Sequence, residues 1–243
     1  MNDERTRAIE KLGAWITEAR RMVFFGGAGV STASGIPDFR SADGIYSQGG
    51  VVPPEEILSH TFFMERTAEF YKFYREKMIY PDARPNACHI ALAKLEKEGR
   101  VSAVVTQNID NLHQEAGSKT VYELHGSVYR NRCTRCGKKY GLDHILNTEG
   151  VPRCERCGGV IKPDVVLYEE QLDPDCITSA CRAIANADVL IIGGTSLTVY
   201  PAASFVNYFS GQHLVLINKT PTPADKLADL VIHGDIAEAM KLD

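Results

Sequence analysis

Short apolar runs alternate with longer amphipathic stretches along most of the chain. The spacing of the apolar residues predicts helices over residues 4–20, 86–99 and about 174–186. The short runs predict strands at residues 22–26, 101–105, 121–124, 189–192, 213–217 and 230–232. Because strands that alternate with helices form parallel sheets, this pattern predicts an α/β protein. Its sheet is expected to be mostly parallel, with helices on both faces.

Two segments interrupt this alternation. Residues 46–83 carry aromatic residues at helical spacing, which favours a helical insert whose aromatic side chains pack in a core. Residues 129–162 form a cysteine-rich module. We therefore expect a larger, Rossmann-like domain made of residues 1–45, 84–128 and 163–243. The two interrupting segments together are expected to form a small domain.

The first predicted strand ends in a glycine-rich turn, Gly26-Gly27-Ala28-Gly29. Glycines let the backbone approach a ligand closely, and free N–H groups at the start of a following helix would face an anion such as a pyrophosphate. The turn lacks the third glycine of the usual dinucleotide-binding motif, so a tight turn that binds nothing is the alternative. The segment Asp38-Phe39-Arg40 favours the first interpretation, because an aromatic residue between an acid and a base suits a charged cofactor.

Polar or glycine clusters follow five of the predicted strands. In parallel sheets, ligands bind beyond the carboxyl ends of the strands, so these clusters predict a single site. The clusters lie at residues 26–32, 106–110, 125–126, 193–196 and 218.

Three side chains in these clusters are candidates for catalysis. His125 can take a proton near neutral pH. Asn108 offers donors and an acceptor for ribose hydroxyls or a water, and Asp110 can accept from a carboxamide. For His125 the alternative is a histidine whose hydrogen bonds are satisfied within the core.

Composition argues against a nucleic-acid-binding, a membrane-spanning or a secreted protein. The chain has 243 residues, of which 44% are hydrophobic and 24% charged, as in ordinary globular proteins. The net charge of −4 makes a nucleic-acid surface unexpected. No apolar run approaches the length of a membrane span. Residues 1–7 are charged and lack the apolar core of a signal peptide, so a cytoplasmic protein is expected.

Two Cys-x-x-Cys pairs, Cys133/Cys136 and Cys154/Cys157, are separated by seventeen residues. This spacing is typical of zinc sites. Four thiolates complete a tetrahedral site and leave no open position, so the metal is expected to be structural, and the module is too small to fold on its own core. The basic residues of the module are typical of a solvated face, with an interaction surface as the alternative.

Together these segments resemble the sirtuin family of NAD-dependent protein deacylases. The matches run in family order from about residue 20 to residue 237. The matching segments are Gly27–Ser31, Gly35–Arg40, Thr106–Asp110, His125-Gly126, the four cysteines, Gly194–Leu197, Tyr200–Ala202, Asn218 and Gly234-Asp235.

The resemblance implies that NAD is consumed as a co-substrate. The acetyl-lysine oxygen attacks C1′ of the nicotinamide ribose, nicotinamide leaves, and His125 acts as general base on the ribose hydroxyls. The products are free lysine, nicotinamide and O-acetyl-ADP-ribose. Asn108 and Asp110 are implied to assist His125 in catalysis. The residues implied to bind NAD are Ala28, Thr32, Ile36, Asp38, Phe39, Arg40, Gln107, Asn108, Ile109, Asp110, His125, Thr195, Ser196, Asn218 and Asp235.

The resemblance also implies structural zinc, and acetyl-lysine proteins or peptides as partners. The peptide is expected to add as a strand between residues 165–170 and residues 198–200. Sirtuins commonly have Phe-Gly-Glu where this chain has Tyr168-Glu169-Glu170, and the two carboxylates could favour basic peptides. Desuccinylating members carry Tyr-x-x-Arg in the insert. Here the arginine, Arg75, comes one position late after Tyr71, so deacetylation is expected over desuccinylation.

Three alternatives remain open. An NAD glycohydrolase or ADP-ribosyltransferase would share every cofactor contact. A zinc-ribbon binding module that only senses NAD would release no nicotinamide. A dehydrogenase fits least well, because the third glycine is missing and hydride transfer needs no peptide cleft.

Overall fold

The computed structural model describes residues 2–39, 44–45 and 52–241. The strands are, in chain order, β1 (Met22–Gly26), β2 (Val101–Thr106), β3 (Val121–Glu123), β4 (Gly126–Cys133), β5 (Lys139–Tyr140), β6 (Ile161–Val165), β7 (Val189–Gly193), β8 (His213–Asn218) and β9 (Leu230–His233). The α-helices are α1 (Asn2–Glu18), α2 (Pro54–Ile57), α3 (His60–Glu65), α4 (Thr67–Lys77), α5 (Ala87–Lys97), α6 (Leu112–Ala116), α7 (Leu142–Leu146), α8 (Pro174–Ala185) and α9 (Ile236–Ala239). Short 3-10 helices lie at Ala28–Val30, Thr32–Ser34, Ala202–Tyr208 and Pro223–Leu227.

The larger sheet has the strand order β3-β2-β1-β7-β8-β9, and every neighbouring pair is parallel. The chain builds one half outward from β1 to β3 and the other half outward from β7 to β9. The strand order therefore reverses beside β1, and ligands bind at such switch points in open α/β sheets. This topology confirms the predicted Rossmann-like class.

The side chains of β1 alternate between two cores, one on each face of the sheet. Phe24 belongs to a cluster with Leu12 of α1 and Leu92 of α5. Phe25 belongs to the opposite cluster, which includes Ile184 of α8. Helices cover both faces of the sheet, so all residues of β1 are buried. This explains why the sequence of β1 is an uninterrupted apolar run.

Strands β4, β5 and β6 form a separate antiparallel sheet in the order β5-β4-β6. Phe63, Phe70 and Tyr71 of α3 and α4 are at most 2% exposed. They pack in one cluster with Ile145 of α7 and Ile161 of β6. The prediction that the aromatic residues of the insert pack in a core is therefore confirmed, and that core is shared with the cysteine module.

Two strands of the small antiparallel sheet run across the predicted domain boundaries. β4 runs across the predicted domain boundary at residues 128–129, and β6 runs across the boundary at residues 162–163. The residue ranges of the two domains stay a prediction. Within the residues that the structure describes, no helix combines the length and the apolar character needed to cross a membrane.

Candidate active site

A cavity of about 620 Å³ lies at the carboxyl ends of β1, β2, β7 and β8 and continues to the loop after β6. It brings together residues that are far apart in the sequence, as the clusters at the strand ends predict. The cavity is lined by the predicted residues Ala28, Thr32, Ile36, Asp38, Phe39, Gln107, Asn108, Ile109, Asp110, His125, Thr195, Ser196 and Asn218. The predicted residue Arg40 lies outside the described residues.

The glycine-rich turn after β1 is held against the end of β7 by backbone contacts. The Gly29 N–H donates to the carbonyl of Gly194 over 2.8 Å. A Cβ on Gly29 would lie 2.9 Å from the same carbonyl oxygen, so a side chain would separate the two loops. These glycines leave a bare backbone wall on this side of the cavity.

The helix that we expected directly after this turn is absent from the described residues, where two 3-10 turns, Ala28–Val30 and Thr32–Ser34, follow β1 instead. The second turn ends at Gly35, whose φ of 84° reverses the chain. The bonds to the end of β7 and this early reversal leave no length for an α-helix. The expected anion site at a helix N-terminus is therefore replaced by a wall of short turns.

Ser31 connects two of the catalytic candidates. Its hydroxyl donates to Asp110 Oδ2 over 2.6 Å and accepts from Asn108 Nδ2 over 3.0 Å. The side chain is 1% exposed. Ser31 lies within one of the sirtuin-like segments, but nothing in the sequence places it beside residue 110, so no role was predicted for it. Its position two residues after the glycine-rich turn is the signal that was available.

Asp110 is held at both carboxylate oxygens. While Ser31 donates to Oδ2, the backbone N–H of Leu112 donates to Oδ1 over 3.0 Å at the start of α6. Burial raises the pKa of Asp110 above its ordinary value, and these hydrogen bonds act in the opposite direction. The carboxylate is therefore fixed in orientation at the cavity wall, where it can accept from a ligand amide.

His125 is oriented by the backbone of the neighbouring strand end. Its Nδ1 lies 3.0 Å from the carbonyl oxygen of Gln107. Since a carbonyl only accepts, Nδ1 carries the proton and Nε2 remains the acceptor. Burial lowers the pKa of His125, and the bond to Gln107 acts in the opposite direction. The ring is therefore neutral at pH 7 and suited to take a proton.

The far end of the cavity is formed by the loops after β8 and β9. Asn218 and Gly234 line this end of the cavity. Asp235 is not among the described residues that line it. The Asp235 carboxylate accepts from the Ala237 N–H over 2.8 Å at the start of α9. It also forms an ion pair with Lys219 at 2.9 Å. Both of its oxygens therefore have partners within the protein.

The four module cysteines converge, with all their Sγ atoms within 4.8 Å of one another. Cys133 and Cys157 approach to 3.4 Å, and Cys136 and Cys154 approach to 3.6 Å. A tetrahedral zinc with sulfur ligands at about 2.3 Å requires sulfur separations of about 3.8 Å, so the four thiols fit zinc. The hydroxyl of Tyr140 donates to Cys154 Sγ over 3.1 Å and lowers the pKa of that thiol to about 6, which favours the thiolate that a metal needs.

Comparison with known proteins agrees with this geometry. Residues 27–201 match the model of a family described as the Sir2 family. This chain belongs to the Sir2 family. It is 55% identical over 236 residues to an NAD-dependent protein deacetylase of Clostridium acetobutylicum and 57% identical over 235 residues to one of Clostridium perfringens, with 96% of each chain covered in both cases. The predicted sirtuin resemblance is confirmed.

Solved Sir2 structures share the fold. A Sir2 bound to a peptide and NAD has a TM-score of 0.85 and 42% identity, with 96% of this chain and 95% of that chain covered. A Sir2 with a deacetylated peptide and 3′-O-acetyl ADP-ribose has a TM-score of 0.88 and 40% identity, with 96% of both chains covered. These ligands belong to the two related structures.

In this Sir2 family member, both predicted peptide-binding loops reach the cavity. Residues 165–170 line it, as do Val199 and Tyr200 of the second loop. Tyr200 is 75% exposed. Peptide binding between the two loops stays a prediction.

Arg75 of this family member is hydrogen-bonded to the cysteine module. Its guanidinium donates to the carbonyl of Ile145 over 3.0 Å and to that of Gly150 over 2.7 Å. The hydroxyl of Tyr71 donates to the carbonyl of Ile161. The two residues that come nearest to the desuccinylase pair therefore anchor the cysteine module, which supports the expectation of acetyl over succinyl substrates.

Proposed function

We propose that this protein is an NAD-dependent protein-lysine deacetylase that cleaves NAD to nicotinamide and transfers the acetyl group to ADP-ribose. Its two clostridial relatives are described as enzymes of this class. The observation that carries the proposal is the placement of His125, with Nε2 as acceptor, in the same cavity as Asn108, Asp110 and both peptide-binding loops. Acetyl-lysine proteins or peptides are the substrates.

The cavity suits NAD along its whole length. The bare backbone beside Gly29 and Gly194 lets a pyrophosphate approach closely. When bound, NAD supplies a ribose carbon that becomes electrophilic as nicotinamide leaves. We assign the phosphates and their ribose to Ala28, Thr32, Arg40, Thr195 and Ser196, and the adenosine end to Asn218 and to the α9 start that Asp235 caps.

His125 acts as the general base at Nε2. It takes a proton from a ribose hydroxyl, while its Nδ1–H stays bonded to the Gln107 carbonyl. That bond holds the ring plane and stabilises the imidazolium that forms. Because burial lowers the pKa of His125, the neutral base is the resting form.

Asn108, Asp110 and Ser31 act as a preoriented polar group. The Ser31 hydroxyl fixes the other two side chains by hydrogen bonds of 2.6 and 3.0 Å, so they need no reorganisation when a ligand binds. Asp110 accepts from the nicotinamide carboxamide, and Asn108 together with Gln107 faces the ribose.

Apolar side chains exclude water from the reacting atoms. Ile36, Phe39 and Ile109 line the cavity beside the polar group. A closed, dry pocket strengthens the fixed dipoles and keeps water from the electrophilic carbon. Phe39 also blocks the return of nicotinamide, and we assign its neighbour Asp38 to the cofactor-binding residues.

Zinc has a structural role in this proposal. The four cysteines fill its coordination sphere, so the metal stabilises the module and takes no part in the reaction. Since these ligands must stay reduced, the proposal places the enzyme in the cytoplasm.

Mass spectrometry of an acetyl-lysine peptide incubated with and without NAD tests the function. We expect deacetylated peptide, nicotinamide and O-acetyl-ADP-ribose in equal amounts, only with NAD. A His125→Ala variant with an unchanged melting temperature should form none of them. Free ADP-ribose that appears without peptide would instead favour the glycohydrolase, and NAD binding without nicotinamide release would favour a sensor.

A further inference from the structure

The loop after β6 contains a residue in an unusual backbone conformation. The Glu170 N–H donates to the carbonyl of Leu167 over 3.0 Å and closes a four-residue turn. Glu169, the third residue of that turn, has a φ of 75°. This combination is typical of a type II turn, which favours glycine at its third position because a Cβ is unfavourable there. A glutamate at this position calls for a compensating interaction.

The Glu169 side chain provides that interaction. Its carboxylate oxygen Oε2 accepts from the backbone N–H of Thr61 over 2.9 Å and from the Thr61 hydroxyl over 2.7 Å. Thr61 lies in the first turn of α3, in the insert. The Thr61 bonds lower the pKa of Glu169, which keeps the carboxylate ionised. One carboxylate therefore ties the loop to a segment more than a hundred residues away in the sequence.

Further bonds join the same two segments. The Tyr168 N–H donates to the carbonyl of Leu58 over 3.0 Å, and the His60 N–H donates to the carbonyl of Tyr168 over 3.0 Å. Glu170 Oε1 lies 2.8 Å from His60 Nδ1. The loop and the start of α3 are thus joined by several hydrogen bonds beside the cavity, and the Glu169 contact is one of them.

We propose that Glu169 is a positioning residue for the peptide substrate, because its carboxylate fastens the peptide-binding loop, residues 165–170, to Thr61 of α3. This inference rests on the proposed deacetylase function. The loop edge must keep a fixed backbone shape to pair with an extended peptide, since strand addition depends on main-chain hydrogen bonds. Because the Glu169 carboxylate is hydrogen-bonded to Thr61, its role is to hold the loop. It does not attract basic peptides directly.

Steady-state kinetics on four full-length variants test this role. Glu169→Gly keeps a turn that tolerates the positive φ but removes the fastening. We expect the KM for an acetyl-lysine peptide to rise about three- to tenfold, the range that follows from the loss of a capping contact. The kcat and the KM for NAD should change less than about twofold, because the NAD contacts are untouched. Thr61→Val should raise the peptide KM in the same direction, and Glu169→Gln, whose amide oxygen can still accept, should recover most of the loss.

Glu65→Gln is the matched control, since Glu65 is an exposed glutamate on α3 and its replacement should leave the kinetics unchanged. Hydrogen exchange should become faster at residues 58–62 and 166–170 in Glu169→Gly, less so in Thr61→Val, and should not change in Glu65→Gln. An unchanged peptide KM in Glu169→Gly, or equal effects on both substrates, would overturn the inference. So would a loss confined to peptides with basic flanks, because that outcome assigns the carboxylate to charge attraction.

Failure of the proposed function gives a different result. A wild-type protein that leaves the acetyl-peptide intact refutes deacetylation, whatever the variants do. Fluorescence anisotropy of a labelled acetyl-peptide then still measures whether Glu169→Gly weakens peptide binding. Equal dissociation constants for wild type and Glu169→Gly would refute the positioning role independently of turnover.

Discussion

Replacement of Ser31 by alanine gives a direct measure of the polar group in the active site. Ser31 is 1% exposed and makes hydrogen bonds to Asp110 and Asn108, so its removal leaves a partly buried carboxylate oxygen and a buried amide N–H without this partner. Loss of a hydrogen bond to a charged group lowers stability by about 2 kcal/mol. For a chain of this size, that loss lowers Tm by about 4–8 °C.

The same bonds orient Asp110 and Asn108, the two side chains that we propose to contact NAD. If they are needed in the transition state, a loss of about 2 kcal/mol lowers kcat/KM for NAD by about 30-fold. The rate of nicotinamide release at saturating acetyl-peptide measures this effect, and scanning calorimetry measures Tm. Ser210→Ala, which alters an exposed serine, is the control and should match the wild type.

A double-mutant cycle with Asp110→Asn isolates the contact. Because Ser31 and Asp110 share one hydrogen bond, the second replacement should have a smaller effect in the Ser31→Ala background than in the wild type, with a coupling of more than about 0.5 kcal/mol. The reasoning is refuted if Ser31→Ala keeps its Tm and its kcat/KM, or if the two replacements are additive.

Three further predictions concern proton uptake and the metal. His125→Gln should lower kcat at least about 100-fold. The wild-type kcat/KM should rise with pH to a plateau, with a midpoint below pH 6.5, because only the neutral ring of His125 is a base. A pH-independent kcat/KM would contradict this. Atomic absorption should find one zinc per wild-type chain. Removal of the metal by a chelator, or the Cys154→Ser replacement, should abolish this zinc and lower Tm. Retention of zinc in the variant would contradict the tetrahedral site. Burial lowers the pKa of His89 to about 4 from 6.5, so the unfolded state binds more protons. The free energy of unfolding should therefore fall by up to about 1.4 kcal/mol for each unit by which the pH is lowered from 6.5 to 4. Denaturant titrations at several pH values measure this slope, and His89→Gln should reduce it.

Local signals predicted most of the scaffold. The apolar run of β1 and the glycines after it predicted one wall of the cavity. The ends of the predicted strands lie within two residues of those observed. The spacing of the cysteine pairs predicted a cluster that the structure brings within 4.8 Å. These features depend on neighbours in the sequence, so a single chain reveals them.

Contacts between distant segments were beyond the reach of the sequence. The role of Ser31 depends on Asp110, 79 residues away. Likewise, the sequence did not indicate that Asp235 bonds to Lys219 and to the start of α9, and its role at the cofactor stays a prediction. Arg75 matched part of a substrate motif, yet it binds backbone carbonyls of the cysteine module. Side chains with several possible partners are assigned only once the fold has placed those partners.

The strand pair β4–β6 begins beside His125. Gly126 has a φ of 75°, a Cβ there would overlap the Asp164 carbonyl, and the Val166 N–H donates to the His125 carbonyl over 3.0 Å. The peptide-binding loop, residues 165–170, is therefore bonded directly to the backbone of His125. A substrate that shifts the loop near Val166 also shifts the residue that we propose as the proton acceptor, so peptide binding and the alignment of the imidazole are mechanically coupled.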